Sequence, residues 1–242
     1  MNYKYVSASK AGLKREENED ALGVFEIENG LLVIVCDGLG GNKGGKTASH
    51  VAVETIYRSF KNLKISNCLE RINATIQEAN CAILRQSLNE SHLSGMATTA
   101  EVLFFSDSTA YWGHVGDSRI YLFINDKLEQ LTKDHTFIQK LLDEGMLTLK
   151  SAETFPDKNV LTRALGGISK LEVDSDKLKF DHKDNCFFLV CTDGVTTTLP
   201  DNDIEKILCL KDHEEISNKL SSLVEERGAP DNFTYVLISK ND

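Results

Sequence analysis

Residues 31–45 read LLVIVCDGLGGNKGG, and this run constrains the fold more than any other part of the chain. The apolar stretch from Leu31 to Cys36 is long enough for one buried strand and too short to span a membrane. It runs directly into Asp37-Gly38 and a glycine-rich turn containing Gly40, Gly41, Gly44 and Gly45. An aspartate at the mouth of a buried strand has its backbone held by the sheet and its carboxylate aimed at the sheet edge. The glycines are expected to permit positive φ and close approach of a ligand to the backbone. Taken alone, a strand followed by Asp-Gly reads more readily as an Asx turn leading into a helix. The rest of the chain decides between these.

Composition narrows the partners. The chain has 242 residues, of which 37 are acidic and 27 are Lys or Arg, for a formal net charge of −10. That balance argues against a nucleic-acid backbone or an anionic membrane surface as the main partner. No window approaches a transmembrane length, and the opening residues MNYKYVSASKAGLK lack the apolar core of a signal peptide, so a cytoplasmic location is expected. The cysteines (36, 68, 81, 186, 191 and 209) show no CxxC and no metal-type spacing, which suits reduced thiols. With only three prolines and no low-complexity segment, residues 1–242 read as a single domain.

Hydrophobic periodicity orders the elements. Strand-like runs at 3–9, 21–27 and 31–36 open the chain, the last two joined by Glu28-Asn29-Gly30, a hairpin signal. Helical spacing covers 43–60 and continues in a second helix from about 66, where Asn67 and Glu70 form a capping-box pattern ahead of Leu69, Ile72, Ile76, Ala79 and Ile83. Runs at 98–105, 109–115 and 119–124 are separated by Asp107-Ser108 and Asn125-Asp126, an antiparallel meander. A short helix at 137–144, strands at 171–180 and 186–192, helices at 201–208 and 212–226, and a strand at 233–238 complete the order. The second of those late helices opens on Asp212 and turns Ile216, Leu220 and Leu223 inward. Hairpins with helices inserted in pairs indicate class α+β, not βαβ alternation.

Four aspartates recur at strand ends. Asp37 follows one apolar run, Asp193-Gly194 a second, Asp117 a third, and Asp231-Asn232 precedes the last strand; Glu19 and Asp20 end the loop before the first hairpin. Apart from Arg119 near Asp117, none has an obvious basic neighbour. Each alone could be a turn residue. Together, converging carboxylates would repel or take up protons unless a divalent cation lay between them. Oxygen-only ligation points to Mg²⁺ or Mn²⁺, and two such ions bridged by one aspartate would suit phosphoester hydrolysis.

Eight segments occur in the order found in one family: REENED (15–20), CDGLGG (36–41), GMATT (95–99), GHVGDSRIY (113–121), LTKDHT (131–136), NVLTRALGG (159–167), CTDGV (191–195) and DNFT (231–234). Over nearly its whole length the chain resembles the metal-dependent (PPM, type 2C) serine/threonine protein phosphatases in their compact bacterial form. The resemblance implies an α+β sandwich of two antiparallel β-sheets flanked by pairs of α-helices, with a flap at about 134–165. It implies two to three Mg or Mn ions. Asp37 would bridge two ions, the Gly38 carbonyl would ligate one of them, and Asp193 and Asp231 would complete the first site. Asp20, with Glu19 adjoining, would hold metal-bound waters, and Asp117 with Asp193 would bind a third ion. Arg15 would grip the substrate phosphate. Hydrolysis would proceed by direct attack of a metal-bridging hydroxide. Phosphorylated proteins, a Ser/Thr kinase and its substrates would be the partners of a monomeric enzyme.

Two departures stand out. Many bacterial members read DGMGGH where this chain reads DGLGGN, so Asn42 stands in place of a histidine and cannot act as an acid; a water or His50 could substitute. In AETFPDKN, Phe155 replaces a histidine in the flap. His114 and His135 read as hydrogen-bonding residues, not ligands. Two other readings share the fold: a pseudophosphatase binding or regulatory module, and a hydrolase of small phosphoesters.

Overall fold

The computed structural model describes residues 3–39, 44–152, 155, 160–180 and 186–240. Two five-stranded antiparallel sheets stack face to face. The first contains β1 (Tyr3–Lys10), β12 (Phe233–Lys240), β11 (Phe187–Cys191), β8 (Arg119–Ile124) and β9 (Lys127–Gln130), in that spatial order. The second runs β10 (Asp174–Lys179), β7 (Thr109–Val115), β6 (Ala100–Ser106), β3 (Gly30–Cys36) and β2 (Ala21–Ile27). A two-stranded ribbon pairs β4 (Gly38–Leu39) with β5 (Ala97–Thr98). The long helices α1 (Gly44–Asn62) and α2 (Cys68–Asn89) cover the second sheet. Helices α6 (Asp201–Leu208) and α7 (His213–Glu226) cover the first. Short helices α3 (Phe137–Asp143), α4 (Leu149–Ala152) and α5 (Asp193–Thr196) lie between.

Three apolar layers hold this αββα stack. Val33, Val35, Leu103, Trp112, Phe188, Val190 and Val236 fill the space between the sheets. Leu32, Ile34, Val102 and Phe104, on the other face of the same strands, meet Ile56, Phe60, Ile72 and Ile76 of α1 and α2. Because both faces of β3 are covered, its sequence is continuously apolar, as the LLVIVC run requires. Full burial of each such side chain contributes roughly 1.5–3 kcal/mol.

The expected helix starts hold. Asn67 Oδ1 accepts from the Leu69 and Glu70 amides and Asp212 Oδ1 from those of Glu214 and Glu215; each cap contributes about 1 kcal/mol. On α7 the inward residue after Leu220 is Val224, which is fully buried, while Leu223 is only partly covered. The first hairpin turns through Glu28 and Asn29, with Asn29 at φ 67°, and Ile27 pairs with Gly30. Gly30 is therefore a strand residue. The predicted 98–105 strand is broken at Thr99, and the 171–180 strand begins only at Asp174, since Leu171 is used in the core beneath α2. Strand β9 and the β4–β5 ribbon, both short, had no apolar run to announce them.

Strand register gathers the chemistry at one end. Ala21 pairs with Cys36, so Asp20 and Asp37 leave the second sheet side by side. Val115 pairs with Ala100 at the same end, which brings Asp117 there. Cys191 pairs with Tyr235 and with Arg119, so Asp193, Asp231 and the 117–118 turn leave together.

Candidate metal centre

The backbone at Asp37 is clamped. Thr99 Oγ1 receives the Asp37 amide at 2.9 Å, the Thr99 amide returns to the Asp37 carbonyl at 2.9 Å, and Thr98 Oγ1 donates to that carbonyl at 2.8 Å. Thr99 Oγ1 is also hydrogen-bonded to Ser118 Oγ at 2.9 Å, joining the Asp37 and Asp117 turns. Gly38 and Gly45 approach each other backbone to backbone: a Cβ on Gly38 would stand 2.3 Å from the Gly45 carbonyl oxygen and 2.5 Å from that of Glu19. Close packing, and not a left-handed backbone, is what requires glycine at these two positions, since neither has positive φ. Gly40, Gly41 and Asn42 lie outside the described residues.

The acids converge. Asp37 and Asp193 lie close enough that each shifts the other's ionisation. Burial, then the charges of Asp20, Asp193, Asp117 and Asp231, push the Asp37 carboxyl well above the usual range. Burial and Asp231 likewise raise Asp193. Asp20 is raised to about 7 by burial, against hydrogen bonds from Thr234 and Thr192 and with Asp193 and Asp231 adding to the rise. Asp117 is raised to about 7 by burial and by Asp193. These carboxylates repel one another because each has lost solvent and gained like-charged neighbours.

Two supports were not anticipated from the sequence. Thr192, fully buried at the end of β11, donates through Oγ1 to Asp20 Oδ2 at 2.9 Å. Asn232 accepts the Glu19 amide at 3.0 Å and donates to the Glu17 carbonyl at 2.9 Å, fixing the acidic loop. The signal was present in the T of CTDGV and the N of DNFT, but as a hydroxyl and an amide that only a folded backbone can pair. Glu19 joins through its backbone: its carbonyl receives Ser49 Oγ at 2.6 Å.

The basic residues nearest the cluster pair with acids. Arg119 does not pair with Asp117; its Nε and Nη2 reach Asp134 Oδ1 and Oδ2 at 2.9 and 2.7 Å, and Nη1 donates to Tyr121. Arg15 Nη2 lies 2.6 Å from Asp231 Oδ2. Behind Asp117, the Gly116 amide donates to His135 Nδ1 at 3.1 Å, which leaves the ring proton on Nε2, 3.1 Å from Asp174 Oδ2. His114 is buried between Glu101 and the Lys133 carbonyl. Both histidines hydrogen-bond in the scaffold. His50 is exposed on α1, with Nδ1 2.8 Å from the Lys46 carbonyl, and Phe155 packs its ring 6.4 Å from that of Phe137.

A divalent ion fits the chemistry of this donor set. The donors are oxygens, the acids are mutually repelling, and Asp20 Oδ1 is buried without a hydrogen-bond partner among the described residues. No group of three or more ligand side chains already stands in ion-holding geometry among the described residues; the acids are packed against one another and against Arg15. Closing that set around a cation would replace repulsion by shared attraction.

The family profile described as Protein phosphatase 2C matches residues 12–237. The chain belongs to the protein phosphatase 2C family. It is 37% identical to the serine/threonine phosphatase Stp of Listeria monocytogenes serotype 4b (strain F2365), across 95% of this chain and 93% of that one. Among solved structures, it superposes on the Mycobacterium tuberculosis serine/threonine phosphatase PstP/Ppp with a TM-score of 0.89 at 31% identity, covering 99% of each chain. The catalytic domain of PstP in complex with two manganese ions matches with a TM-score of 0.86, also at 31% identity and covering 99% of each chain. The expected α+β sandwich is thus the fold of this protein phosphatase 2C chain.

Proposed function

We propose that this chain is a Mg²⁺- or Mn²⁺-dependent protein phosphatase acting on phosphoserine and phosphothreonine. The observation that carries this reading is the convergence of Asp20, Asp37, Asp117, Asp193 and Asp231 at one end of the sandwich, in a member of the protein phosphatase 2C family. Asp37, the Gly38 carbonyl, Asp193 and Asp231 would hold the principal ions, Asp117 with Asp193 would hold a third, and Asp20 would orient water at the centre. Two to three bound Mg or Mn ions supply Lewis acidity toward the phosphoryl oxygens and a water of lowered pKa.

The chain's own groups do the positioning. Thr98 and Thr99 keep the Asp37 turn rigid, so its carboxylate is oriented before substrate arrives. Thr192 aims Asp20. Arg15 is a fork of donors at the rim, suited to exchanging the Asp231 carboxylate for two phosphoryl oxygens. We read residues 1–242 as one catalytic domain with a flap at about 134–165, acting in the cytoplasm as a monomer against the products of a Ser/Thr kinase. No helix among the described residues is long and apolar enough to cross a membrane.

A parallel assay on phosphoserine, phosphothreonine and phosphotyrosine peptides tests this. Turnover of the first two is expected with added Mn²⁺ and none after chelation. Activity that survives thorough chelation would overturn the reading.

A further inference from the structure

A cavity of about 670 Å³ opens beside the carboxylates and is lined by Asp20 itself. It lies along strand β2, the outermost strand of its sheet, and one face of helix α1. Its walls include Leu22, Phe25, His50, Val53 and Tyr57. Positions 46, 50, 53, 54 and 57 of α1 follow helical spacing and so share a face. From 46 to 57 that face is about 16 Å long at 1.5 Å per residue. An extended chain covers the same distance in about five residues.

The cavity changes character along its length. At the carboxylate end it is polar, with Asp20, Asn18 and Lys46, whose ammonium pairs with Glu17 at 3.3 Å. Farther along, the Phe25 and Tyr57 rings stack with centroids 3.9 Å apart in the same layer as Val53, and both rings remain partly exposed. Exposed Glu54 stands on the same helical face. An apolar wall reached from a phosphoester centre, next to a sheet edge whose outer backbone groups have no strand partner, suits an extended peptide better than a free phosphate.

We infer that this cavity is the docking groove for the substrate segment flanking the phosphorylated residue, and that it takes an apolar side chain against Phe25, Val53 and Tyr57. The inference rests on the phosphatase reading above. It commits the occupant because Asp20 lines both the cavity and the carboxylate cluster: a peptide with its phosphoryl group at the acids has one flank beside the groove mouth. A cavity of this volume accommodates two or three side chains. Peptide sequence preference then follows from Phe25 and Tyr57, residues remote from the phosphoryl chemistry.

The test compares matched phosphothreonine peptides carrying leucine or glycine at positions two to five from the phosphoresidue, on either flank, with p-nitrophenyl phosphate as the sequence-free substrate, all with Mn²⁺. On one flank, kcat/KM for the leucine peptide should exceed that for the glycine peptide about tenfold, chiefly through KM. Tyr57→Ala should bring that ratio toward one. Glu54→Lys, a change at an exposed position, should shift preference at the outermost peptide position from basic toward acidic. A wild-type ratio near one on both flanks, or ratios unmoved by both variants, overturns the groove while p-nitrophenyl phosphate hydrolysis leaves the phosphatase reading standing. A wild-type chain that hydrolyses none of these substrates overturns both.

Discussion

Arg15 Nη2 lies 2.6 Å from Asp231 Oδ2, although 216 positions separate them. The pair joins the acidic loop to the entrance of the last strand, and it neutralises one of the crowded acids. Its exposure is high, with relative side-chain accessibilities of 48% and 35%, so its contribution to stability is under about 1 kcal/mol. Its consequence is functional. On the proposed role of Arg15, a phosphoryl group entering the site would compete with Asp231 for the guanidinium. Arg15→Ala should therefore raise KM for phosphopeptides severalfold with a smaller change in kcat, since it removes binding more than chemistry. Steady-state kinetics on one phosphothreonine peptide measures this, and an unchanged KM would return Arg15 to a purely electrostatic role toward Asp231.

Asp20 links folding stability to pH. Its carboxyl is raised from 3.8 to about 7 by burial, with neighbouring acids adding to the rise. In the metal-free protein the native state thus holds a proton between about pH 4 and pH 7 that the unfolded chain releases, so this group's contribution to stability is present at low pH and lost as pH rises through 7. Asp20→Asn imitates the protonated form. Metal-free Asp20→Asn should match wild type in denaturant midpoint near pH 4 and exceed it at pH 8. Equal midpoints across the whole range would show that Asp20 titrates normally.

The parts of the fold that follow from periodicity were readable in advance. The LLVIVC run had to be a strand covered on both faces, and Asn29, Asp107, Asn125 and Asp126 take the positive φ values that tight hairpin turns need. Strand-end position made Asp37, Asp117, Asp193 and Asp231 visible, because burial of the preceding strand leaves its last polar residue at the rim. What holds those acids was hidden. Thr99 reaches Asp37 across 62 positions and Thr192 reaches Asp20 across 172, and no local pattern records such pairs. Arg119 is a further hidden case: it is the basic neighbour of Asp117 in sequence, yet strand β8 turns its side chain toward Asp134, 15 positions on.

Thr192 should govern metal affinity without touching substrate. Its Oγ1 donates to Asp20 Oδ2 at 2.9 Å and accepts the Thr234 amide at 3.0 Å, all within a fully buried pocket. Thr192→Val keeps the volume and removes both bonds, leaving polar partners unpaired at a cost of about 1–3 kcal/mol. The Mn²⁺ concentration for half-maximal turnover should rise about tenfold, the usual scale for losing a group that orients a ligand. Turnover at saturating Mn²⁺ should fall less than the affinity does. Metal titrations of wild type and variant separate these effects, and identical titration curves would mean that Thr192 only supports the sheet.

Arg119 and Asp134 form a two-bond charge pair where the 134–165 segment begins. The guanidinium makes two bonds to the carboxylate, and both side chains are largely covered, with relative accessibilities of 24% and 15%. Asp134 lies immediately before His135, whose ring receives the Gly116 amide, and the Thr162 amide then donates to the His135 carbonyl at 2.8 Å. The pair therefore ties strand β8 to both ends of the 134–165 segment, one residue from the Asp117 turn. Removing one partner from a buried pair strands the other in a poorly solvated place, which costs about 3–5 kcal/mol. Arg119→Met should lower the denaturant midpoint by a corresponding amount. Asp134→Asn, which keeps one acceptor for the guanidinium, should lose less. Because Arg119 directly follows the Asp117-Ser118 turn, and Asp117 is proposed to hold a third ion, Arg119→Met should also weaken the response of activity to added Mn²⁺ in the millimolar range more than it weakens the response to the first, tighter increments. A variant with an unchanged midpoint and an unchanged metal profile would show that the 134–165 segment is anchored by its backbone hydrogen bonds alone.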